Sequence, residues 1–501
     1  MSNLLVKKPL TAALGEAKSG QLHRVLGPWA LVALGIGAVI GAGIFVATGE
    51  AAKNKAGPAL MVSYMVAGFV CLMAALCYAE FAAMTPVAGS AYTYAYTTLG
   101  EIFAWIIGWD LILEYAVAAA AVATGWSAYF SKLLDLGGLA VPETWNEAPV
   151  KYDHGQFLLT HSYVNLPAVL IIFILTAILV KGIKESATFN AIMVAIKVGA
   201  VLFVILAGVW FINTANWSDF APYGWTGINF FGYPVHGMHT ENGAPLGMIA
   251  GAAIIFFAYI GFDAVSTQAE EARNPQRDMP IGIIGSLLIC TLLYIGVVVV
   301  LTGMVRYDQL DEKAAVAEAF SQRGMTWAKA MITPAALAGI TSVILVSLLG
   351  ATRVLMAMSR DGLLPPAYSA VHPTFKTPWK GTILVGLGVA FMAGLLPLDA
   401  LLELTNIGTL FAFAVVCGAV IIMRITNPDA PRPFKVPFVW LIAPMGILSC
   451  LLLMLSLPAQ NWYRLIGWMA VGLIIYLTYG RHHSVLGRQA ENSSPSATTT
   501  S

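Results

Sequence analysis

Lys197 has the strongest claim to chemistry in this chain. It is the one charge in FNAIMVAIKVGAVLFVILAG. About ten residues separate it from the nearer end of that run, or about 15 Å of helix, too deep for its ammonium to reach an interface comfortably. Two roles fit. A desolvated amine can gain and lose a proton. It can equally be a fixed cation satisfied by carbonyl oxygens of a neighbouring broken helix. Asp110 and Glu114 stand one helical turn apart in GWDLILEYAV and share a face. Either could receive a cationic group, carry a proton, or pair with Lys197 or Arg353; Asp110 also reads as a helix-packing hydrogen-bond partner. Asp263 follows Gly261 in FFAYIGFDAVST. A carboxylate there can fix an interrupted helix through backbone N–H groups and can favour cations. Glu270, Glu271, Arg353 and Glu80 lie near the ends of apolar runs, where gate pairs, surface salt bridges and snorkelling are all open.

A second kind of chemistry needs bare backbone. GIGAVIGAGIF, Gly35 to Phe45, has four glycines in eleven residues, inside the 25 uncharged residues between Arg24 and Glu50. Each glycine weakens a helix by roughly 1 kcal/mol relative to alanine. Gly37 and Gly41 form a G-x-x-x-G pair, which suits close helix packing. The alternative is a helix that breaks within the membrane and offers its backbone to a ligand.

The elements that must position these groups are membrane spans. Hydrophobic residues make up 58% of the 501 and charged residues 11%, with a mean hydropathy of +0.77. Net charge is +1, which gives no footprint for a nucleic-acid partner. Five cysteines all fall in apolar runs without metal or disulfide spacing. His236 and His239 lack a third ligand nearby, so neither metal nor cofactor is expected. No P-loop, HExxH or GxSxG pattern is present, so enzymatic activity is not expected either. The first segment lacks the features of a cleavable signal.

Twelve spans are predicted, near 26–48, 58–80, 101–130, 163–182, 187–212, 246–269, 280–305, 332–358, 381–397, 402–424, 437–457 and 463–480. Lys and Arg concentrate on the segments that share a side with the N-terminus, among them Lys8, Arg24, Lys181, Arg277, Arg360 and Lys435. The positive-inside rule puts both termini in the cytoplasm. The outer loop 306–331 contains DEKAAVAEAF, a candidate short surface helix, and Tyr92, Tyr94 and Tyr96 read as interface anchors. The Ser/Thr-rich end reads as disordered.

Five spans precede residue 220 and five fill 246–424, with two left over. GIGAVIGAGIF opens the first five and FFAYIGFDAVST the second. An odd number of spans per half makes the halves opposite in orientation, and interrupted segments at matching positions of inverted halves point to a transporter binding site. This favours the broken-helix reading.

Together with YAEFAAMTPVAGSAYTYAY, GWDLILEYAV, FNAIMVAIK, MSRDGLLP and PRPFKVP, these motifs resemble the amino acid–polyamine–organocation (APC) superfamily of permeases, most closely its cationic amino acid transporter-like branch, over about residues 22–480. The resemblance implies an all-α integral membrane protein of LeuT type, with a 5+5 inverted repeat and broken helices 1 and 6. Its parts would be a cytoplasmic N-terminal segment (1–25), a ten-helix core (26–424), two peripheral helices (437–480) and a disordered cytoplasmic tail (481–501). It places a substrate carboxylate at the backbone N–H groups of Gly41, Ala42 and Gly43, and its ammonium at carbonyls near Ile40, Phe257, Ala258 and Ile260, with Phe257 as an aromatic gate. Lys197 would occupy the place of a sodium ion in sodium-coupled relatives, and Glu114 and Asp263 would be pocket or gating acids.

The expected function is secondary active uptake of L-amino acids across the inner or plasma membrane by alternating access, with protons and without sodium. A lysine/arginine permease, an exchanger and a non-transporting sensor are the alternatives. Partners are the substrate, protons and the lipid bilayer; a small accessory membrane subunit stays open. Val343 to Leu349 would line the pocket with bulky aliphatic groups, Ser347 excepted.

Overall fold

The computed structural model describes residues 6–9, 11–12, 15, 24–41, 43–136, 138–153, 156–230, 233–240, 243, 245–311, 315–457 and 459–493. Ala42 and the last eight residues, 494–501, lie outside them. The chain is mainly helical. The first apolar run forms α1 (Pro28–Val39), with proline at its start, where a missing N–H costs nothing. It resumes after the glycines as π- and α-helical turns, Gly43–Ala47, Thr48–Ala51 and Ala52–Ala56. There follow α2 (Leu60–Met84), α3 (Ala91–Thr98), α4 (Glu101–Leu136), α5 (Leu166–Lys181) and α6 (Ile183–Gly208). The start of α5 is capped by Asn165, whose side chain accepts the Ala168 N–H at 3.3 Å.

The sixth apolar run begins as α7 (Met248–Ile255) and continues as two 3₁₀ segments, Phe256–Tyr259 and Asp263–Glu271. Then come α8 (Pro275–Met304), α9 (Ala315–Gln322), α10 (Thr326–Arg360), α11 (Trp379–Leu395), α12 (Leu398–Thr426), α13 (Val439–Leu455) and α14 (Ala459–Ile475). Extended chain is confined to two small antiparallel sheets. One is β1 (Val150–Asp153) with β2 (Gln156–Leu159). The other is β3 (Gly227–Phe230), β4 (Tyr233–His239) and β5 (Pro245–Leu246).

Each predicted span contains an apolar helix. Among the described residues, eight helical stretches are long and apolar enough to cross a bilayer, and four apolar helices are shorter: α1, α5, α11 and α13. The break explains α1, whose 12 residues reach about 18 Å. Burial sorts the helices into centre and rim. The apolar window of α10 is 89% buried, whereas that of the stretch built on α14 is 17% buried. The central layer is α10 against α4, with α8 packed on α1 and α2.

Three expectations change. Tyr92, Tyr94 and Tyr96 are fully buried rather than interfacial. They lie on a helix, where alternate residues point in widely different directions, and α3 is enclosed all round. The Tyr92 hydroxyl donates to Asp361 at 2.6 Å and that of Tyr96 to Glu101 at 2.7 Å, while Tyr94 stacks on Phe81. Within the tail, the described residues 481–493 are helical at Arg481–His483 and in α15 (Val485–Ser493), while 494–501 lie outside the described residues. The start of this stretch is tied to the core: Ser484 is buried, donating to Glu101, and Val485 N–H donates to Asp361 O at 3.0 Å. The outer-loop helix exists as α9, but Ala315, Val316, Ala317, Ala319 and Phe320 are buried, so it is half inside the fold.

Candidate functional site: two broken segments around a buried lysine

The first run breaks where the glycines crowd. Ile40 is extended (φ −76°, ψ 105°) and Gly41 is a bend. The C-terminal carbonyls of α1 are therefore without intrahelical donors. Side chains from other helices supply them. Lys197 Nζ donates to Gly37 O at 2.8 Å, to Ile40 O at 2.7 Å and to Ser342 Oγ at 2.7 Å. Its three donors are spent, and the side chain is fully buried. A cation at a helix C-terminus also meets the negative end of the helix dipole. Ser342 Oγ lies 2.9 Å from Gly37 O, so α6, α1 and α10 meet at one charge.

The sixth run breaks in the same manner. Ile260 is extended (ψ 134°) and Gly261 has φ +117°, a region glycine alone enters cheaply. A Cβ there would also meet the Ala38 backbone. Asp263 secures this turn: its Oδ1 accepts the Gly261 N–H at 3.2 Å, and its other oxygen accepts the Tyr115 hydroxyl. The two breaks are tied together. The Tyr294 hydroxyl lies 2.7 Å from Val39 O and 2.9 Å from Ala258 O.

The glycines of the first run serve packing as well as the break. A Cβ on Gly37 would strike the Asn190 side chain, and one on Gly41 would overlap Val343. A Cβ on Gly43 would overlap the backbone of Ala258, so the two broken segments touch main chain to main chain.

Between them lies a small cavity of ≈ 20 Å³, about the room of one water. Gly41, Gly43, Phe257 and Ile260 line it, as their sequence positions suggest, together with Val343 and Ser347 of α10. Ile40 and Ala258 are buried behind it, and their carbonyls already accept from Lys197 and Tyr294. Ala42 lies outside the described residues. Neither Glu114 nor Asp263 lines the cavity. Glu114 is buried one turn before the lining residue Ala118, with Thr409 of α12 beside its carboxyl. Asp110 is buried against Gly408 of α12.

Sequence reasoning missed Tyr294, Ser342 and Tyr115, and the lining residues Ala38, Val39, Ala118 and Val122. A signal existed for the last two. Glu114, Ala118 and Val122 recur every four residues on α4, so a face chosen for the acid is also the face of the cavity. Nothing in the sequence distinguishes Tyr294 from other span tyrosines.

Beyond the break of the sixth run, its 3₁₀ segment carries charge pairs to α10. Glu271 pairs with Arg353, both fully buried. Arg360 donates to Glu270 at 2.9 Å, and Glu270 accepts the Ala88 N–H at 3.0 Å. Glu80 joins α2 to Arg424 and Arg432 at 2.7 and 3.3 Å.

Comparison with known proteins matches this architecture. A family model for amino acid permeases aligns with residues 26–476. The chain is 44% identical over 488 residues to the methylthioribose transporter of Bacillus subtilis (strain 168), covering 97% of this chain and 100% of that protein. It is also 44% identical over 491 residues to the branched-chain amino acid permease BcaP of the same organism, with the same coverage. With cationic amino acid transporter 4 of Homo sapiens it shares 36% over 433 residues, 85% of this chain and 64% of the human protein. These relatives are transporters, not enzymes, and the chain belongs to the amino acid permease family of multi-pass membrane proteins.

Proposed function

We propose that this permease is a secondary active L-amino acid transporter working by alternating access, linked to protons and independent of sodium. The observation that carries the proposal is the meeting of two interrupted helices at Gly43 and Ala258, with Lys197 holding the end of the first. Interrupted helices expose N–H groups at one end and carbonyls at the other, which is what an α-amino acid's carboxylate and ammonium require. Gly41, Ala42 and Gly43 would receive the carboxylate. Carbonyls near Ile40, Phe257, Ala258 and Ile260 would receive the ammonium, using their second lone pairs where the first are taken. Phe257 would then act as the gate, since a cavity of ≈ 20 Å³ admits substrate only if Phe257 or the half-helices move.

In this reading the twelve apolar helices are twelve spans, arranged as a LeuT-type 5+5 inverted repeat followed by two peripheral helices, in the inner or plasma membrane with both termini cytoplasmic. Lys197 supplies the positive charge that a sodium ion would supply in a sodium-coupled transporter, and is the first candidate for the coupled proton.

The substrate side chain would be neutral and short or branched. Ala118, Val122, Val343 and Ile260 offer apolar surface, and Ser347 is the one hydroxyl among the lining side chains. A relative named as a branched-chain amino acid permease is consistent with this. The second reading is a cationic amino acid. It draws on the buried Glu114 carboxyl one turn from Ala118 and on relatives named for cationic substrates.

Uptake into proteoliposomes tests both. Labelled alanine and valine should accumulate when an inward proton gradient is imposed without sodium, with unlabelled leucine competing more strongly than arginine. Stronger competition by arginine would replace the first reading with the second. No uptake of any amino acid would overturn transport.

A further inference from the structure

We infer that a groove at the start of α8 binds an anionic phospholipid, with its phosphate on Arg277 and an acyl chain along the exposed face of that helix. The groove encloses ≈ 600 Å³ between α8 and the segment that leads into α13, within the range of small-molecule sites. Its walls are Pro280, Ile281 and Ile284 on one side and Pro433 and Phe434 on the other, with Arg277 at its rim. This is the chemistry of an amphiphile: a cation at one end and an apolar trough beneath it.

The apolar part continues past the groove. Ile281, Ile284, Leu288 and Leu292 follow Arg277 at helical spacing and share its face. Leu288 and Leu292 are 45% and 72% exposed. From Ile281 to Leu292 is about 16 Å along the helix, the depth of one leaflet in a hydrocarbon core about 30 Å thick.

Charge complementarity selects an anionic lipid. Four cations cluster at this corner: Arg277, Arg424, Arg432 and Lys435. Glu80 takes Arg424 and Arg432. Asp278 is buried and turned back to the Asn274 N–H at 3.2 Å. The side chains of Arg277 and Lys435 are exposed and have no hydrogen-bond or ion-pair partner among the described residues, against one exposed acid, Asp429. Basic pockets between helices at the cytoplasmic face suit anionic headgroups, and the proposed orientation puts this corner there. Gly285, one of the lining residues, faces Val32 of α1, so the groove adjoins the α1–α8 seam.

Native mass spectrometry of the full-length protein, titrated with phosphatidylglycerol and phosphatidylethanolamine of identical acyl chains, tests this without a transport assay. A failed uptake experiment therefore leaves it standing, and its failure leaves the transport reading standing. The expected result is one retained phosphatidylglycerol, preferred over phosphatidylethanolamine. In Arg277→Gln/Lys435→Gln, whose altered side chains are exposed and should not disturb folding, that preference should fall about thirtyfold, the scale of removing two cations that face an anionic lipid. Phe434→Ala should weaken retention of both lipids. Undiminished phosphatidylglycerol retention in the double variant, or equal retention of the two lipids by the unaltered protein, would overturn the proposal. So would displacement of the adduct by millimolar inorganic phosphate, which would make the corner a phosphate site.

Discussion

At the scale of residues, Lys197 and Gly43 carry the sharpest consequences. Lys197 satisfies Gly37 O, Ile40 O and Ser342 Oγ. Methionine fills similar space and donates nothing. Orphaning a buried acceptor costs roughly 1–3 kcal/mol, so Lys197→Met should lower uptake by more than about tenfold and leave the residue insensitive to an imposed pH gradient. Uptake that still follows the gradient would remove Lys197 from coupling and leave it a structural cation. Gly43→Val places a side chain where the Ala258 backbone already stands, and binding measured by scintillation proximity should be lost. Gly388→Ala is the control, because a Cβ there meets nothing within 4 Å; it should bind and unfold as the unaltered protein does.

At the scale of elements, two contacts hold helices that the chain order leaves far apart. Tyr294 joins the carbonyls of both breaks. Tyr294→Phe keeps the ring and removes the tie, so a stability loss of about 1 kcal/mol is expected, read as a lowered Tm, together with slower uptake at saturating substrate. The second contact lies at the N-terminal side. Lys8 is buried and pairs with Asp361 at 2.6 Å, its N–H donates to Tyr96 O at 3.1 Å, and Glu101 N–H donates to Val6 O at 3.1 Å. Tyr476 and Ser484 bond to the Glu101 carboxylate from the far end of the chain. Removing one partner of a buried pair costs roughly 3–5 kcal/mol. Lys8→Met should therefore lower Tm markedly, and Lys8→Met/Asp361→Leu should recover part of the loss because neither charge is left unpaired. An unchanged Tm in the single variant would mean that this corner bears no load.

At the scale of the whole molecule, orientation is the quantity to measure. The five native cysteines are all buried, so single introduced cysteines report sidedness with little background. Tyr233→Cys on β4, at a position 77% exposed, should react in intact cells with a membrane-impermeant maleimide. Lys376→Cys, in the segment before α11, should react only after permeabilisation. The reverse pattern would invert the proposed topology.

The sequence alone determined much of this. Apolar runs long enough for a bilayer announce spans, because no soluble fold needs so many of them. A lone lysine deep in such a run, and glycines crowded in another, announce a special site, because both are costly unless something repays them. Gly37 and Gly41 kept a packing role that their spacing suggested, and the break fell where their neighbours suggested. Other features belong to tertiary structure. The alternating tyrosines of α3 read as anchors until neighbouring helices enclosed them. Glu114 and Asp263 looked like pocket acids, yet neither lines the cavity: Glu114 stands one turn along α4 from Ala118, and Asp263 is taken up by the Gly261 turn and Tyr115. Tyr294, Ser342 and Lys8 gained their roles only when helices distant in sequence brought acceptors within 3 Å. Periodicity and hydropathy record which side of a helix is apolar; they carry no record of which distant carbonyl will be left without a donor.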